Sequence, residues 1–278
     1  MALSEELVVK VVEGWVADAR LTPIDGGMNS SVWRVEAPDG QAFVAKAHDV
    51  SLLPGLEVAR HLADRGFDSG APIHTLVDGV DVVALLRVVP GEPLTWRDDL
   101  LIGQTLRRAH DLLRDFEAPV GLARWPWRWL DVAVIVDEPT RALAEAALAD
   151  ATRMSASVDS GTLHGDPATE AFLRDGDRVG LIDWGSAMHG PLLYDLASAL
   201  MYADPGVIEG YGGANEDEVS VFLRYRFAVQ AWYFADRIAK GITTGSDDAE
   251  NTKGFEDSKR MLASGIERGG RLWGAPTH

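Results

Sequence analysis

The stretch that decides the fold is residues 162–185, TLHGDPATEAFLRDGDRVGLIDWG. Two short apolar runs in it flank an Asp175-Gly176 pair, and this arrangement predicts a β-hairpin because both turn positions tolerate a positive φ. Asp166 precedes the first run and Asp183 follows the second. A hairpin brings its outer ends together, so we expect the two carboxylates side by side. Such a pair suits a divalent cation, or a general base beside one.

The motif HGD at 164–166, followed by IDWG at 182–185, resembles the catalytic core of the aminoglycoside phosphotransferase and choline kinase-like family, whose members are relatives of protein kinases. The resemblance implies that Asp166 orients or deprotonates the substrate hydroxyl. It implies that Asp183 binds the Mg2+ that bridges the phosphates of ATP. Only a short segment follows Asp183, which favours a small-molecule kinase over a protein kinase.

The resemblance also implies the architecture. We expect an α+β, bilobal protein-kinase-like fold, with a small N-lobe that has an antiparallel sheet and a helix, and a larger, mostly helical C-lobe. The nucleotide-binding lobe is expected over residues 1–89, and the catalytic and substrate-binding lobe over residues 90–278.

One position departs from the family's pattern. The family has a metal-binding Asn five residues after the catalytic Asp, where this chain has Ala171, which offers no ligand atom. Glu170 beside it is a candidate metal ligand, and His189 downstream is another. Two alternatives remain open, which are a weakened second metal position and a Glu170 that is simply a solvated loop carboxylate.

A lysine stands on an alternating apolar strand near the N-terminus. The segment QAFVAKA at 41–47 carries Lys46, which is costly to bury without an anionic partner. Phosphates of ATP and Glu57 on the next helix are two such partners in kinases, and a lysine that snorkels at a strand edge is the alternative. Upstream, a loop with Gly27 and Ser30 is expected to cover the phosphates, since backbone N–H groups approach anions closely there. A simple hairpin turn is the other explanation.

A connector between two lobes is indicated where a strand runs into the sequence PGEP at 90–93, since proline lacks the N–H that continued strand pairing needs. The resemblance implies that the adenine edge bonds backbone groups just before it. We therefore expect the adenine of ATP near Arg87, Val88 and Val89. Recognition of the nucleobase by backbone groups alone does not distinguish ATP from GTP.

The late helices are expected to form the substrate side. A predicted helix over residues 219–240 has an apolar face with one carboxylate, Asp236. In the family the substrate lies between the catalytic loop and late helices, where amino groups meet carboxylates. The substrate-side candidates are Asp195, which in the family also braces the catalytic loop, Glu209, Trp232 and Asp236. A solvated acidic surface explains the acidic candidates equally well.

Composition narrows the classes of function. The net charge is −17, with 43 acidic and 26 basic residues, so nucleic acid is disfavoured because its phosphates need a basic surface. A cationic small substrate is compatible with this charge, although solubility alone also explains it. No apolar run approaches the roughly 20 residues of a membrane helix, and there are no cysteines. A cytoplasmic protein without a membrane partner is expected.

Three functions follow from these observations. The first is an ATP- and Mg2+-dependent phosphotransferase acting on a hydroxyl of a small cationic molecule, an antibiotic such as an aminoglycoside or a basic peptide. The second is a metabolic kinase for an amino sugar or amino alcohol. The third is a non-catalytic ATP-binding pseudokinase, which Ala171 supports and the presence of Lys46, Asp166 and Asp183 opposes.

Overall fold

The computed structural model describes residues 5–24, 30–126 and 132–264. The N-terminal part holds one helix, α1 (Glu5–Trp15), and five strands, which are β1 (Arg20–Pro23), β2 (Ser31–Glu36), β3 (Ala42–Asp49), β4 (Pro72–Asp78) and β5 (Asp81–Arg87). The strands form one antiparallel sheet in the order β1-β2-β3-β5-β4. This sheet is the framework that holds Lys46.

The two faces of the sheet bury different clusters. On one face, Val8 and Val12 of α1 pack against alternating residues of the strands, among them Val35 and Ala45. Because side chains alternate along a strand, Lys46 lies on the face opposite Ala45. That second face carries Ala84, the residue that pairs with Lys46 across β3 and β5. The alternation therefore turns the lysine away from α1.

Helix α2 (Leu53–Ala63) is packed against the C-terminal part rather than against the sheet alone. Its residues Val58, Ala59 and Leu62 belong to the same buried cluster as Trp184 in the C-terminal part. At Gly55 the helix backbone is so close that a Cβ would lie 2.1 Å from the carbonyl oxygen of Trp184. The helix is thereby anchored to the segment that follows Asp183.

The C-terminal part is mostly helical. Its helices are α3 (Asp99–Leu112), α4 (Glu138–Met154), α5 (Leu192–Leu200), α6 (Gly206–Gly210), α7 (Glu216–Lys240) and α8 (Asp248–Ser264). Its short strands are β6 (Glu92–Pro93), β7 (Ala123–Arg124), β8 (Ser160–Leu163), β9 (Phe172–Asp175), β10 (Arg178–Leu181) and β11 (Met188–Pro191). They form two three-stranded sheets, β10-β9-β6 and β7-β11-β8. Within the described ranges, no helix has both the length and the apolar character needed to span a bilayer.

Some elements differ from the expectation. Strand β1 was not expected after the first helix, and it forms because Leu21 pairs with Val35 of the neighbouring strand. The short segment that follows Asp183 contains β11, which pairs with β8. Helix α8 begins at Asp248, within a stretch of polar sequence. In each case tertiary contacts override a weak local pattern. The lobe boundary after residue 89 stays a prediction.

The close approach at Gly55 leads to a stability prediction. Gly55→Ala is expected to lower the free energy of unfolding by about 1–3 kcal/mol, because the new methyl group overlaps the Trp184 carbonyl. The control is Gly14→Ala in α1, where a Cβ meets nothing within 4 Å; this change is expected to stabilise by up to about 1 kcal/mol through helix propensity. Urea unfolding of both variants measures the difference, and equal effects would contradict the close packing of α2.

Candidate active site

The predicted hairpin is present. Strands β9 and β10 pair in antiparallel register, with Asp175 opposite Arg178, so the two-residue turn is Gly176-Asp177. Gly176 has a φ of 59°, the left-handed conformation that a tight turn between twisted strands requires. The turn therefore lies one residue later than the predicted Asp175-Gly176 turn. The outer ends of the hairpin still lie side by side.

The imidazole of His164 joins those two ends. Its Nδ1 accepts a hydrogen bond from the backbone N–H of Asp166, at 3.3 Å, and its Nε2 lies 2.8 Å from the carbonyl oxygen of Ile182. These partners assign the proton to Nε2, which donates to the carbonyl. One ring thus links the backbone at Asp166 to the residue before Asp183.

Asp195 braces the catalytic loop from below. Its carboxylate accepts hydrogen bonds from the backbone N–H groups of His164, at 2.6 Å, and Gly165, at 2.8 Å. His110 on α3 lies 3.0 Å from the same carboxylate. Asp195 is completely buried, so the expected brace is present and the substrate-side placement of Asp195 is wrong. Its oxygens are occupied by the loop that they hold.

Gly165 allows the loop to fold this tightly. Its φ is 91°, and a Cβ there would lie 2.1 Å from the carbonyl oxygen of Ser186. Only glycine avoids both the strained conformation and the overlap. The middle residue of the HGD motif is therefore dictated by the close approach of the segment after Asp183.

Lys46 pairs with Asp183 across the cleft between the sheet and the hairpin. The Lys46 Nζ lies 2.5 Å from Asp183 Oδ1, and 61% of the Asp183 side chain is exposed. Burial by itself raises the pKa of Asp183, but the charge of Lys46 and its hydrogen bond lower it, and the net pKa is below the usual aspartate value. The carboxylate is therefore ionised at neutral pH, as a metal ligand must be.

Glu57 does not pair with Lys46, contrary to the expectation. Its carboxylate accepts a hydrogen bond from Arg60, one helical turn later and 2.5 Å away, and both side chains are exposed. The fixed position of α2 puts Glu57 on its solvent side, while Val58 and Ala59 face the core. The lysine finds its anionic partner in Asp183 instead.

The metal-ligating groups are few. In the part of the chain that the structure describes, no three His, Cys, Asp or Glu side chains form a metal-binding cluster. Glu170 lies exposed in a short 3-10 helix, and Ala171 beside it is buried. His189 lies in β11 opposite Arg124, and burial together with the charge of Arg124 lowers its pKa. Repulsion by that charge makes His189 a poor cation ligand.

The connector between the lobes presents free backbone donors. Arg87 ends β5, and its N–H donates to the Ala71 carbonyl. Among the described residues, neither the Val88 nor the Val89 N–H donates to a backbone carbonyl. The position of the adenine beside these residues stays a prediction. Of the phosphate-loop residues, Ser30 is partly buried just before β2, and Gly27 lies outside the described residues.

The substrate-side candidates do not come together as expected. Trp232 is only 8% exposed and belongs to the core of the C-terminal part, so its placement in a substrate pocket is wrong. Asp236 is paired with Lys240, at 2.8 Å, one turn further along α7. Glu209 is exposed on α6, which packs against α3. The apolar face of α7 is used for packing, whereas the Asp236 carboxylate is only partly buried beside Lys240.

A residue that sequence reasoning missed contacts Asp166, the predicted catalytic residue. The Arg226 Nη2 on α7 donates a hydrogen bond to Asp166 Oδ1, at 2.5 Å. Arg226 is 5% exposed, whereas 46% of the Asp166 side chain is exposed. The sequence signal was two charged residues, Arg224 and Arg226, in the otherwise apolar segment 221–229, which is unusual for a packed helix.

Solved structures with the same fold include several small-molecule kinases. An amicoumacin kinase in complex with AMP-PNP, Ca2+ and Ami superposes with a TM-score of 0.73 at 12% identity, over 94% of this chain and 94% of that one. The aminoglycoside phosphotransferase APH(4)-Ia, as a thermostable mutant with ADP and hygromycin B, gives 0.60 at 15% identity, over 92% and 96%. A choline kinase from Streptococcus pneumoniae gives 0.64 at 11% identity, over 94% and 99%. These likenesses confirm the expected α+β, bilobal protein-kinase-like fold.

Sequence comparison identifies the family. No curated protein sequence matches the chain significantly. The model of the family described as "APH: Phosphotransferase enzyme family" matches residues 20–228, which include Lys46, the HGD motif and Asp183. The chain therefore belongs to the phosphotransferase enzyme family, and it is a small-molecule kinase, as its motifs predicted.

Proposed function

We propose that this kinase transfers the γ-phosphoryl group of ATP to a hydroxyl of a small cationic antibiotic, such as an aminoglycoside or a basic peptide. The observation that carries the proposal is that Lys46 contacts Asp183, while His164 joins the backbone at Asp166 to the residue before Asp183. A cationic side chain for phosphates, an ionised carboxylate for a metal, and an accessible carboxylate for a hydroxyl are the parts that phosphoryl transfer needs.

Each group has one role in this reaction. Lys46 binds phosphate oxygens of ATP, and the backbone of Arg87, Val88 and Val89 binds the adenine. Asp166 accepts the proton of the acceptor hydroxyl while that oxygen forms its bond to the γ-phosphorus. The bond from the γ-phosphorus to the bridging oxygen breaks, and ADP leaves with its electrons. The protein contributes mainly position and charge.

Asp183 fits one Mg2+. This ion is usually held by one or two carboxylates together with substrate phosphates, and it keeps several waters. The ionised, exposed Asp183 supplies such a carboxylate. When bound, the metal neutralises charge on the phosphates. Ala171 leaves a second metal without the Asn ligand of the family, and Glu170 is the predicted replacement.

The substrate class rests on charge. The chain carries a net charge of −17, and Asp236 is partly buried whereas Glu209 is exposed. Clefts with negative charge concentrate cations. The phosphotransferase neighbour was solved with hygromycin B, which supports an antibiotic. We propose a cytoplasmic location, where ATP is available, and no nucleic-acid or membrane partner.

Two alternatives remain testable. The likeness to a choline kinase favours a metabolic amino alcohol or amino sugar as the acceptor. Ala171 favours a pseudokinase that binds ATP without turnover. A protein that retains Lys46, Asp166 and Asp183 in contact with their partners is better explained as an active enzyme.

The substrate class is tested by ATP consumption with Mg2+ across aminoglycosides, basic peptide antibiotics, amino sugars and choline-like alcohols, with Asp166→Ala as control. We expect Mg2+-dependent turnover with an antibiotic that the variant loses. Turnover only with an amino alcohol or amino sugar would replace the antibiotic by a metabolite. Tight ATP binding without turnover on any acceptor would support the pseudokinase.

A further inference from the structure

The catalytic carboxylate has a buried cationic partner that comes from a distant helix. Arg226 follows Asp166 by 60 residues, and its two terminal nitrogens have different partners. Nη2 donates to Asp166 Oδ1, at 2.5 Å, and Nη1 donates to the side-chain oxygen of Gln230, at 2.8 Å. The guanidinium is thereby fixed between α7 and the catalytic loop.

Stability alone does not explain this arginine. Burying a guanidinium costs several kcal/mol, and an apolar residue of similar volume is often at least as stable in such a place. The Arg226 Nε is also buried with no hydrogen bond to any described residue, which adds a further cost. The neighbours Tyr225 and Phe227 are fully buried. A charged residue at this position is therefore explained by its effect on Asp166.

The ion pair leaves one carboxylate oxygen for the acceptor. Oδ1 is engaged by Arg226, and no described residue makes a hydrogen bond to Oδ2. The backbone of Asp166 is held separately through His164 and Asp195. Backbone and side chain are thus fixed from two directions, so Oδ2 has one orientation in which to meet a hydroxyl.

The surrounding groups keep the arginine charged. Burial raises the pKa of the Tyr202 phenol, and the charge of Asp166 raises it further, so this neighbour stays neutral. Burial lowers the pKa of Arg226, but the ion pair with Asp166 more than reverses that effect. Asp166 is then the anion that Arg226 contacts directly.

We propose that Arg226 is a positioning residue for the reaction, which holds Asp166 in the orientation that aligns the acceptor hydroxyl with the γ-phosphorus. The inference rests on the proposed phosphotransferase function. The position of the family's Asn in the catalytic loop is occupied here by Ala171, which has no polar side chain. Arg226 supplies an anchor for the Asp166 side chain from α7. The helix expected to lie beside the substrate is thereby connected to the reacting carboxylate.

A double-mutant cycle tests the role. Arg226→Met keeps an unbranched apolar stem and removes the charged guanidinium. We expect it to lower kcat about tenfold to a hundredfold with KM for ATP unchanged, because the carboxylate is misoriented. In the Asp166→Ala background, Arg226→Met is expected to cause no further loss, since its effect passes through Asp166. Arg226→Lys is expected to recover part of kcat. Additive losses would overturn the proposal and indicate a direct role of Arg226 at the phosphate.

Thermal unfolding of the four proteins of this cycle, which are the wild type, the two single variants and the double variant, tests the ion pair without any acceptor substrate. Asp166→Ala leaves a buried unpaired charge, so we expect its Tm to fall, and we expect the second change, Arg226→Met, to raise it again. Independent effects on Tm would overturn the ion pair. If the wild type turns over no acceptor, the proposed phosphotransferase function fails, and the catalytic role of Arg226 fails with it. The Tm values of the four proteins then still show whether the Arg226–Asp166 ion pair exists.

Arg237 provides the matched control. It lies on the same helix, is 2% exposed, and bonds to Asn251 and the Thr244 carbonyl without contacting Asp166. Arg237→Met is expected to lower Tm but to leave kcat of the folded enzyme unchanged. Equal losses of kcat in Arg226→Met and Arg237→Met would show that damage to α7, and not positioning of Asp166, explains the result.

Discussion

Replacing Asp166 with Asn is expected to lower kcat by about a thousandfold, because the amide cannot accept the proton of the acceptor hydroxyl. The Asn side chain keeps the shape of the carboxylate, and its oxygen still accepts the hydrogen bond from Arg226. KM for ATP is expected to stay unchanged, since the groups proposed to bind the nucleotide and metal are Lys46 and Asp183. Steady-state kinetics with the acceptor identified for the wild type measures both constants.

The control for this change is Asp175→Asn. Asp175 lies on the same hairpin but is exposed at its turn, so we expect wild-type kinetics. A kcat of Asp166→Asn within a few fold of the wild type would contradict the role of Asp166 and leave the catalytic group to be sought elsewhere in the cleft.

Asp183→Asn is expected to reduce kcat/KM for ATP by about a thousandfold, because the neutral amide is a weak metal ligand and leaves Lys46 without its anionic partner. Part of the loss is expected to be recovered at high Mg2+ concentration, since the remaining ligands are phosphate oxygens. A Mg2+ titration of the wild type and the variant measures the shift, and an unchanged Mg2+ dependence would contradict Asp183 as the metal ligand.

Glu57→Gln separates this prediction from the expected lysine–glutamate pair. In the structure Glu57 is exposed and contacts Arg60, so we expect kcat/KM to change by less than about twofold. A loss as large as that of Asp183→Asn would mean that Lys46 exchanges partners during turnover, with Glu57 replacing Asp183 once the metal is bound.

The catalytic hairpin was predictable because its information is local. The Asp175-Gly176 pair, the flanking apolar runs and the spacing of Asp166 and Asp183 lie within 24 residues, and turn chemistry acts over that range. The brace formed by Asp195 was also predicted from a motif. The complete burial of Asp195 was not predicted, because a sequence pattern does not show that the backbone N–H groups of the catalytic loop donate to its carboxylate oxygens.

The partner of Lys46 was not predictable from spacing. Both Glu57 and Asp183 are acidic and both lie near the lysine in the expected fold, so the choice depends on the rotation of α2. That rotation is set by the contact between Gly55 and the Trp184 carbonyl, which joins segments about 130 residues apart. Arg226 was missed for the same reason, since its contact with Asp166 depends on how α7 packs.

For Trp232 the sequence predicted a substrate contact that the structure does not show. Its helical spacing with apolar neighbours fits a core position as well as a pocket, and the structure places it in the core. Periodicity identifies the face of a helix but not what covers that face. Asp236 and Glu209 remain candidate substrate contacts. Their charge and exposure are compatible with that role but do not identify the ligand.

The anchoring of α2 affects how the enzyme can be inhibited. The helix shares a buried cluster with the C-terminal part, and the loop after it accepts a hydrogen bond at the Asp68 carbonyl from the N–H of Leu181. A drug that works by swinging this helix outward would have to break that core. Inhibitor discovery is therefore better directed at competition with the nucleotide.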